Sequence, residues 1–303
     1  MRFLGKLKQD WQLHAMILLP LIWLVIFAYI PMAGVQIAFR RYEISLGMWQ
    51  SEWIGLANFE RFFTNIHSVR VIWNTLRISV YTLVAGFPVP IILALLINSI
   101  PFRKLSKTVQ MVTYAPHFIS TVVMVSLLIQ FLHPHFGIYG QIARFFGVEN
   151  PTNLLARAAY FDHVFVWSGI WQSAGFGAII YIAALAGVDP TMYEAATIDG
   201  ATKLQKIRYI DIPSIMPTAV ILLILNMGSI MNVGFERIFL MQNPLNTGVS
   251  EVISTFVYKI GIGAGFPDYS LATAVGLFNS VISCFLVVTA NYIARRMGDN
   301  SLW

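Results

Sequence analysis

The chain has 303 residues, of which 57% are apolar and only 11% carry a charge. Soluble domains carry about 25% charged residues, so this chain has too few to cover a surface that faces water. Its net charge of +6 comes from basic residues that form no stripe, which argues against nucleic-acid binding and favours a membrane protein with Lys and Arg at its cytoplasmic face. Composition therefore predicts a chain embedded in a membrane.

Six segments are candidates for membrane-spanning helices, each of which needs roughly 20 predominantly apolar residues. The runs free of Asp, Glu, Lys and Arg are Trp11–Phe39, Ile78–Phe102, Thr108–Gln141, His163–Val188, Ile212–Phe235 and Tyr269–Ala294. The third run is overlong, and we expect its helix to end at His133-Pro134-His135. The uncharged run Ile238–Ser250 is too short and too rich in Asn, Pro and Gly, which predicts a loop or a surface-lying segment. The sequence thus predicts an all-α membrane protein, with about six transmembrane helices in one domain over residues 1–303.

The distribution of charge predicts the orientation. An even number of spans puts both termini on one side, where the termini and loops hold eleven basic and six acidic residues, a net charge of +5. The opposite loops hold eight of each, and Arg77 at the edge of the second span completes the total. Because cytoplasmic loops are enriched in Lys and Arg, both termini are predicted to lie in the cytoplasm.

Residues that support catalysis or metal binding are scarce. The single cysteine, Cys284, can form no disulfide framework, and His133 and His135 are poorly spaced for a metal site. The chain has no phosphate-binding G-x-x-x-x-G-K-[S/T] loop, no H-E-x-x-H pair and no G-x-S-x-G elbow. We therefore expect neither an enzyme nor a bound cofactor or metal.

One predicted cytoplasmic loop, residues 189–213, contains signals for two short helices. Asp189 before a proline predicts a helix N-terminus, and Gly200 predicts the end of that helix. Thr202 with Gln205 is a capping box that opens a second helix. The loop is thus predicted to be a compact protrusion rather than a flexible linker. Its alternative is an amphipathic loop helix that lies on the membrane.

The same loop resembles that of a known family. Its fixed positions are Glu194-Ala195-Ala196, then Gly200 after three residues, then Ile210-Asp211-Ile212-Pro213 after nine more. This pattern is similar to the E-A-A-x3-G-x9-I-x-L-P loop of permease subunits in binding-protein-dependent ABC importers. Ile212 stands where leucine is usual, a departure that keeps an apolar side chain.

Weaker similarities extend over most of the chain. The segments Asn74-Thr75-Leu76, Trp171-Gln172 to Leu185, Gly228 to Leu240 and Asn300-Ser301-Leu302-Trp303 look like the oligosaccharide permeases of this superfamily. Within it, the resemblance is to the subgroup that handles complex oligosaccharides, including those derived from alginate and pectin. An acidic substrate rests on this resemblance alone, because the outer loops carry no net charge.

The resemblance implies a type I ABC importer permease fold, in which the loop is a coupling helix seated in a groove of an ATP-binding subunit. Glu194 then faces a basic group in that groove, and Gly200 supplies a turn that a Cβ hinders. The coupling residues implied are Glu194, Ala195, Ala196, Gly200, Ile210 and Pro213. The partners implied are a second, related permease in a heterodimer, two subunits that bind ATP and Mg²⁺, and an extracytoplasmic solute-binding protein.

Polar and aromatic residues supply candidates for the substrate pathway and for docking. The pathway candidates in the spans are Trp171, Gln172, Asn226, Asn232 and Asn279, because amides suit hydroxyl-rich ligands. Their alternative role is hydrogen bonding between helices. Candidates for docking the binding protein are Trp49, Trp53, Phe59 and Glu236, although outer aromatics are also common at membrane interfaces. For Arg77 we weigh an extension to the outer headgroups against a contact with Glu236 or an acidic ligand.

Two other functions compete with the ATP-driven importer. A secondary carrier would show inverted repeats or buried ionisable residues, and neither is evident in the sequence. A membrane assembly factor would use the cytoplasmic loop only to bind a partner. Import of an oligosaccharide by alternating access remains the favoured function.

Overall fold

The computed structural model describes residues 11–263 and 265–298. The N-terminal residues Arg2, Lys6, Lys8 and Asp10, which entered the charge tally, lie outside these ranges, as do Asp299 and the C-terminal segment 300–303. Helices make up most of the described chain, and a single pair of two-residue strands, β1 Arg40–Arg41 and β2 Glu52–Trp53, accompanies them.

The helices are numbered in chain order. The first eight are α1 Trp11–Leu24, α2 Gly47–Gln50, α3 Ala57–Thr64, α4 Ile66–Gly86, α5 Pro88–Asn98, α6 Arg103–Tyr114, α7 Thr121–Phe131 and α8 Ile138–Phe145. The remaining eight are α9 Ala158–Ala186, α10 Pro190–Ile198, α11 Lys203–Lys206, α12 Ile212–Ser229, α13 Phe235–Met241, α14 Thr247–Ser250, α15 Ile253–Tyr258 and α16 Tyr269–Gly298. Turns of 3₁₀ or π type extend several of them, at Val25–Tyr29, Ile30–Phe39, Ala115–Phe118, Ile207–Asp211 and Lys259–Gly263.

Five helical segments of the described chain are long and apolar enough to cross a membrane. They are Trp11–Phe39, Ile66–Asn98, Ala158–Ala186, Lys203–Ser229 and Tyr269–Arg296. A sixth arises if the bent pair Arg103–Phe118 and Thr121–Phe131 counts as one span. All six correspond to the apolar runs of the sequence.

The third span differs from its prediction as one continuous helix. It begins at Arg103 and bends by 98° before Thr121. Pro116 lies in the last turn before the bend, where it offers no backbone N–H. Ser120 then caps the next helix by accepting a hydrogen bond from the N–H of Val123. The helix ends at Phe131, close to the predicted stop at His133.

The second span begins twelve residues earlier than the predicted Ile78, at Ile66. Charge-free runs failed to find this start because the first turns contain Arg70 and Arg77, and they also hold the polar Asn74. Asn74 is buried and donates hydrogen bonds to the carbonyls of Gly248 and Glu251, at 3.1 and 3.0 Å. Polar residues are tolerated in such a helix when neighbouring groups satisfy them.

The chain divides into two compact units, and the first comprises residues 11–65 and 257–278 within the described ranges. Its strands pair antiparallel, with Arg40 opposite Trp53. Arg40 also donates to the carbonyls of Trp49 and Ser51, at 3.0 and 2.7 Å. Buried Asn58 donates to the carbonyls of Ala38 and Arg40. These bonds join residues 38–58 of this unit through backbone carbonyls.

The second unit comprises residues 66–256 and 279–298 of the described chain. Helix α9 lies at its centre and packs against α4, α5, α6 and α12. One core cluster includes Phe161, Phe165 and Val166 of α9, and a second includes Ala178 and Tyr181. A single long helix thus supplies side chains to both clusters.

Gly175 sets the distance between α9 and α6. A Cβ at this position would collide with the backbone carbonyl of Thr113. We expect Gly175→Ala to lower stability by about 1–3 kcal/mol, because backbone cannot yield as a side-chain tip does. Thermal unfolding of the purified protein measures the effect. Gly86→Ala is the matched control, since its Cβ would meet only Ile170 at 3.7 Å. An equal loss in both variants contradicts the packing argument.

Candidate functional site

The loop after α9 folds as its capping signals predict. Asp189 Oδ1 accepts a hydrogen bond from the N–H of Thr191 at 2.9 Å, and Pro190 occupies the first helical position. This backbone hydrogen bond holds the pKa of Asp189 below its ordinary value. Helix α10 therefore begins at a defined residue rather than fraying.

Gly200 ends α10 in a Schellman motif. The N–H of Ala201 bonds to the carbonyl of Ala196 at 2.9 Å, and the N–H of Gly200 bonds to that of Thr197 at 3.1 Å. This geometry requires the left-handed φ of +74° at Gly200. No heavy atom lies within 4 Å of the position that a Cβ would take, so backbone conformation rather than space requires the glycine.

The second predicted helix is not a separate element. Thr202 and Gln205 do form the capping box, but α11 continues through a π-type turn into α12. Within that turn the N–H of Ile212 reaches the carbonyl of Ile207. Pro213 lacks an N–H, and the wider turn accommodates it without ending the helix. The loop is thus one short helix, α10, joined to the extended base of the fifth span.

Two side-chain contacts fasten α10 to that base. The hydroxyl of Tyr193 donates to Oδ1 of Asp211, a buried carboxylate, at 2.5 Å. Burial together with this hydrogen bond raises the pKa of Tyr193 to about 12. Lys206 Nζ donates to Thr197 Oγ1 at 2.6 Å. Asp211 lies inside the family motif, but no local pattern indicates Tyr193 as its partner.

Removal of the Tyr193 hydroxyl tests this attachment. Tyr193→Phe leaves buried Asp211 without its donor, which costs about 1–3 kcal/mol. Amide hydrogens of α10 should then exchange about 5- to 30-fold faster, because this cost lowers the free energy of local opening. Hydrogen–deuterium exchange with mass spectrometry gives the rates. Thr197→Val, which removes the exposed Lys206 contact, should have a smaller effect. Unchanged exchange rates in Tyr193→Phe would show that this contact does not stabilise α10.

The other motif residues differ in their exposure. Glu194 and Ala195 are exposed, whereas Ala196 is half-buried. Ile198 is 86% exposed, and Leu204 at the start of the next helix is 74% exposed. Ile210 is buried and packs inside the base of the span. Exposed apolar side chains beside a carboxylate, outside the apolar part of the spans, are typical of a protein interaction surface.

A cavity of about 730 Å³ lies within the second unit. Its lining includes three predicted pathway residues, Gln172, Asn226 and Asn232, together with Arg237. Gln172 also donates to the carbonyl of Ile119 at 2.8 Å, at the bend of the third span. A carbonyl freed by a broken helix needs such a partner inside a membrane, so Gln172 has a structural task as well.

Two predicted pathway residues lie elsewhere. Trp171 does not line this cavity and is 57% exposed, because successive helical residues point about 100° apart. Asn279 also lies outside the lining, and its Nδ2 donates to Oδ1 of Asn232 at 3.3 Å. These two amides thus bond to each other, as in the alternative, structural role predicted for the pathway candidates.

Arg77 forms an ion pair within the protein. Its guanidinium pairs with Asp162 of α9, with Nε 2.7 Å from Oδ2, and it donates to the carbonyl of Val249 at 3.0 Å. The charged partner of Arg77 is therefore Asp162 and not the predicted Glu236. Asp162 comes from a distant part of the sequence, and only the packing of α4 against α9 brings the two charges together.

The predicted docking aromatics differ in exposure. Trp49 and Trp53 are 69% and 59% exposed, and Trp53 stacks on Phe39 with a ring separation of 5.6 Å. Phe59 is half-buried, and its ring centre lies 5.5 Å from that of Phe39. The first unit thus presents two tryptophans on a fixed support. Glu236 belongs to the second unit, where it is exposed.

Metal ligands do not cluster in the described ranges, where no group of three or more His, Cys, Asp or Glu side chains is placed to hold an ion. The chemistry of the described residues lies instead in the capped loop, the polar cavity and the exposed aromatics.

Comparison with known proteins identifies this arrangement. The chain matches the model of the binding-protein-dependent transport system inner membrane component over residues 86–299. It is 39% identical to the polygalacturonan/rhamnogalacturonan transport system permease protein YteP of Bacillus subtilis (strain 168), over 100% of this chain and 93% of that one. YteP is thus a relative along its whole length.

Two solved structures are similar throughout. A chain of a bacterial ABC transporter that imports the acidic polysaccharide alginate is 39% identical, with a TM-score of 0.90 over 98% of this chain and 99% of that one. A chain of a bacterial alginate ABC transporter in complex with an alginate pentasaccharide-bound periplasmic protein is 38% identical, with a TM-score of 0.91 over 99% of each.

These matches confirm the predicted fold of an ABC importer permease and the prediction of a permease subunit rather than an enzyme. They lend no support to a secondary carrier or an assembly factor. The protein is a multi-pass component of the inner membrane, and the chain belongs to the family of binding-protein-dependent transport system inner membrane components.

Proposed function

We propose that this permease moves an acidic oligosaccharide from an extracytoplasmic binding protein into the cytoplasm, driven by two partner subunits that bind ATP and Mg²⁺. A second, related permease completes the pathway as a heterodimer. The names of the relatives support the substrate, since one transports polygalacturonan or rhamnogalacturonan and two transport alginate. All three names refer to the transport of a polysaccharide, and alginate and polygalacturonan are both built of uronic acids.

The observation that carries the coupling mechanism is the fastening of α10. A helix that transmits force must keep its shape, because a flexible segment absorbs displacement. Helix α10 is capped at both ends and tied to the base of the fifth span through Tyr193 and Asp211. Its outward side offers Glu194, Ala195 and the apolar Ile198 to a partner. Movement of an ATP-binding subunit seated here would therefore displace the fifth span.

The exposed Trp49 and Trp53 support a docking surface for the binding protein. Their backbone is held by the strand pair and by the hydrogen bonds of Arg40. Tyr and Trp are enriched at interfaces because they supply large contact areas at low entropic cost. The relative solved with a periplasmic protein bound supports the same class of partner.

The coupling role is tested in vesicles that contain the complete transporter with ATP inside. Binding protein loaded with an oligogalacturonate should stimulate both ATP hydrolysis and uptake. Glu194→Lys should reduce uptake at least about 10-fold with the subunit still inserted, because one charge-assisted contact contributes roughly 1.5–3 kcal/mol. Asp199→Lys is the matched control, since it makes the same charge change five residues away. Uptake at the wild-type rate in Glu194→Lys would refute the role of this residue.

Orientation is tested separately. The proposal places the α10 loop and both termini in the cytoplasm, consistent with the excess of Lys and Arg on that side. A fluorescent protein that folds only in the cytoplasm, fused after Trp303, should therefore fluoresce. If instead a reporter enzyme that works only in the periplasm is active when fused after Trp303, the predicted orientation is reversed.

A further inference from the structure

The cavity contains one charged group that the coupling mechanism does not use, the guanidinium of Arg237. Arg237 is the third residue after the left-handed Gly234 that precedes α13, and it lines the cavity together with residues that include neutral amides and hydroxyls. The neighbouring Glu236 is exposed and faces away, because successive helical residues diverge by about 100°. The two opposite charges therefore do not neutralise each other.

No carboxylate of the described residues pairs with Arg237. The ion pairs of the described chain join Arg41 to Glu52, Arg61 to Asp268, His67 to Glu251 and Arg77 to Asp162. Arg237 Nε is buried, and no side chain or carbonyl of the described residues accepts a hydrogen bond from it. A half-buried charge with no ion pair is unfavourable and is seldom kept without a function.

The guanidinium is held in place by packing. Its Cζ lies 4.0 Å from the centre of the Phe165 ring, a cation–π contact with a side chain that is only 1% exposed. On the facing turn of α9, a Cβ at Gly169 would collide with the guanidinium nitrogens. Phe165 and Gly169 lie one turn apart on α9, so the ring contacts the guanidinium and the missing Cβ leaves room for it.

The charge persists at neutral pH. Burial lowers the pKa of Arg237 to about 10, which still leaves the guanidinium protonated in the cell. Guanidinium nitrogens bind carboxylates through parallel hydrogen bonds, and the amides of Gln172, Asn226 and Asn232 in the same lining suit hydroxyl groups. A site with one cation and several neutral amides therefore matches a sugar unit that carries one carboxylate and several hydroxyl groups.

We propose that Arg237 is the anion-binding residue of the cavity and binds the carboxylate of a uronic acid unit as the oligosaccharide passes. This inference rests on the proposed function, since it takes the cavity to be part of the substrate pathway. It adds a residue that determines specificity within the permease itself, in addition to any selection by the binding protein.

The test compares two ligands with the same sugar backbone, one with free carboxylates and one with neutral methyl esters. Trigalacturonate and its fully methyl-esterified form are titrated by calorimetry into the purified transporter complex, without binding protein. The wild-type complex should bind the acid at least about 10-fold more tightly than the ester, as a charge-assisted hydrogen bond predicts. Arg237→Gln should reduce this preference to less than about 2-fold, while Arg237→Lys should keep only part of it, because lysine retains the charge but lacks the planar pair of donors.

Arg157→Gln, which removes an exposed arginine from the same unit, is the matched control and should keep the wild-type preference. The inference is overturned if wild type shows no preference, if it binds neither ligand, or if Arg237→Gln keeps the preference. Because the ester comparison uses the wild-type chain, poor assembly of one variant does not prevent a decision. Failure of the proposed function would appear elsewhere, as a lack of uptake when loaded binding protein is supplied.

Discussion

Gly200→Pro is expected to abolish uptake while the permease still inserts and assembles. Proline fixes φ near −65°, whereas residue 200 requires +74°. Proline also lacks the N–H that bonds to the carbonyl of Thr197. Both changes unfold the C-terminal cap of α10, so motion of the ATP-binding subunit no longer reaches the fifth span. We expect uptake to fall at least about 100-fold, since the cost of about 3 kcal/mol falls on the element that transmits the motion.

The measurement follows uptake and ATP hydrolysis in the same vesicles. Gly200→Ala is the informative control, because it keeps the N–H and pays only the strain of a left-handed alanine, about 1–2 kcal/mol. Its uptake should lie between those of wild type and Gly200→Pro. If Gly200→Pro transported at half the wild-type rate or more, a rigid α10 would not be needed for coupling.

The loop at residues 189–213 could be predicted largely from sequence because its determinants are local. An N-cap, a C-terminal glycine and a capping box each act over three or four residues, so their spacing is legible in one dimension. The continuation of α11 into α12 was missed because Pro213 normally signals a helix boundary. In the π-type turn the N–H of Ile212 bonds to the carbonyl of Ile207, and the helix continues past the proline.

The polar contacts between helices were not predictable in the same way. Gln172 was singled out for its amide, but only the structure gives it the carbonyl of Ile119, 53 positions away. Arg237 was counted merely as one of eight basic residues on outer loops. Its burial against Phe165 and Gly169 depends on how α13 meets α9, which no local pattern records.

The segment Asn74-Thr75-Leu76, noted for its resemblance to oligosaccharide permeases, now has a physical explanation. Asn74 donates to the carbonyls of Gly248 and Glu251, and Thr75 Oγ1 accepts from the N–H of Ile253 at 2.9 Å. One turn further along α4, Arg77 adds its bond to Val249. This polar side of α4 therefore fixes the backbone of residues 248–253, and the pair of Arg77 with Asp162 joins both to α9.

Arg77→Gln is accordingly expected to destabilise the protein more than Asp162→Asn does. The Asp162 side chain is 18% exposed, so loss of Arg77 leaves a largely buried anion without its cation. The Arg77 side chain is 33% exposed and keeps its bond to Val249 when Asp162 is neutralised. Since the pair is partly solvated, we place the cost of Arg77→Gln at about 2 kcal/mol, below the range for fully buried pairs. The apparent Tm should fall by about 5 °C.

The double variant Arg77→Gln/Asp162→Asn separates the lost pair from the stranded charge. Two amides of similar shape can hydrogen-bond to each other, so the double variant should be more stable than Arg77→Gln alone by at least about 1 kcal/mol. Thermal unfolding of the four proteins in one detergent gives the coupling free energy. Additive losses would mean that the two charges act independently despite their 2.7 Å separation. In that case Arg77 would hold residues 248–253 through Val249 alone, and α4 and α9 would be joined by apolar packing.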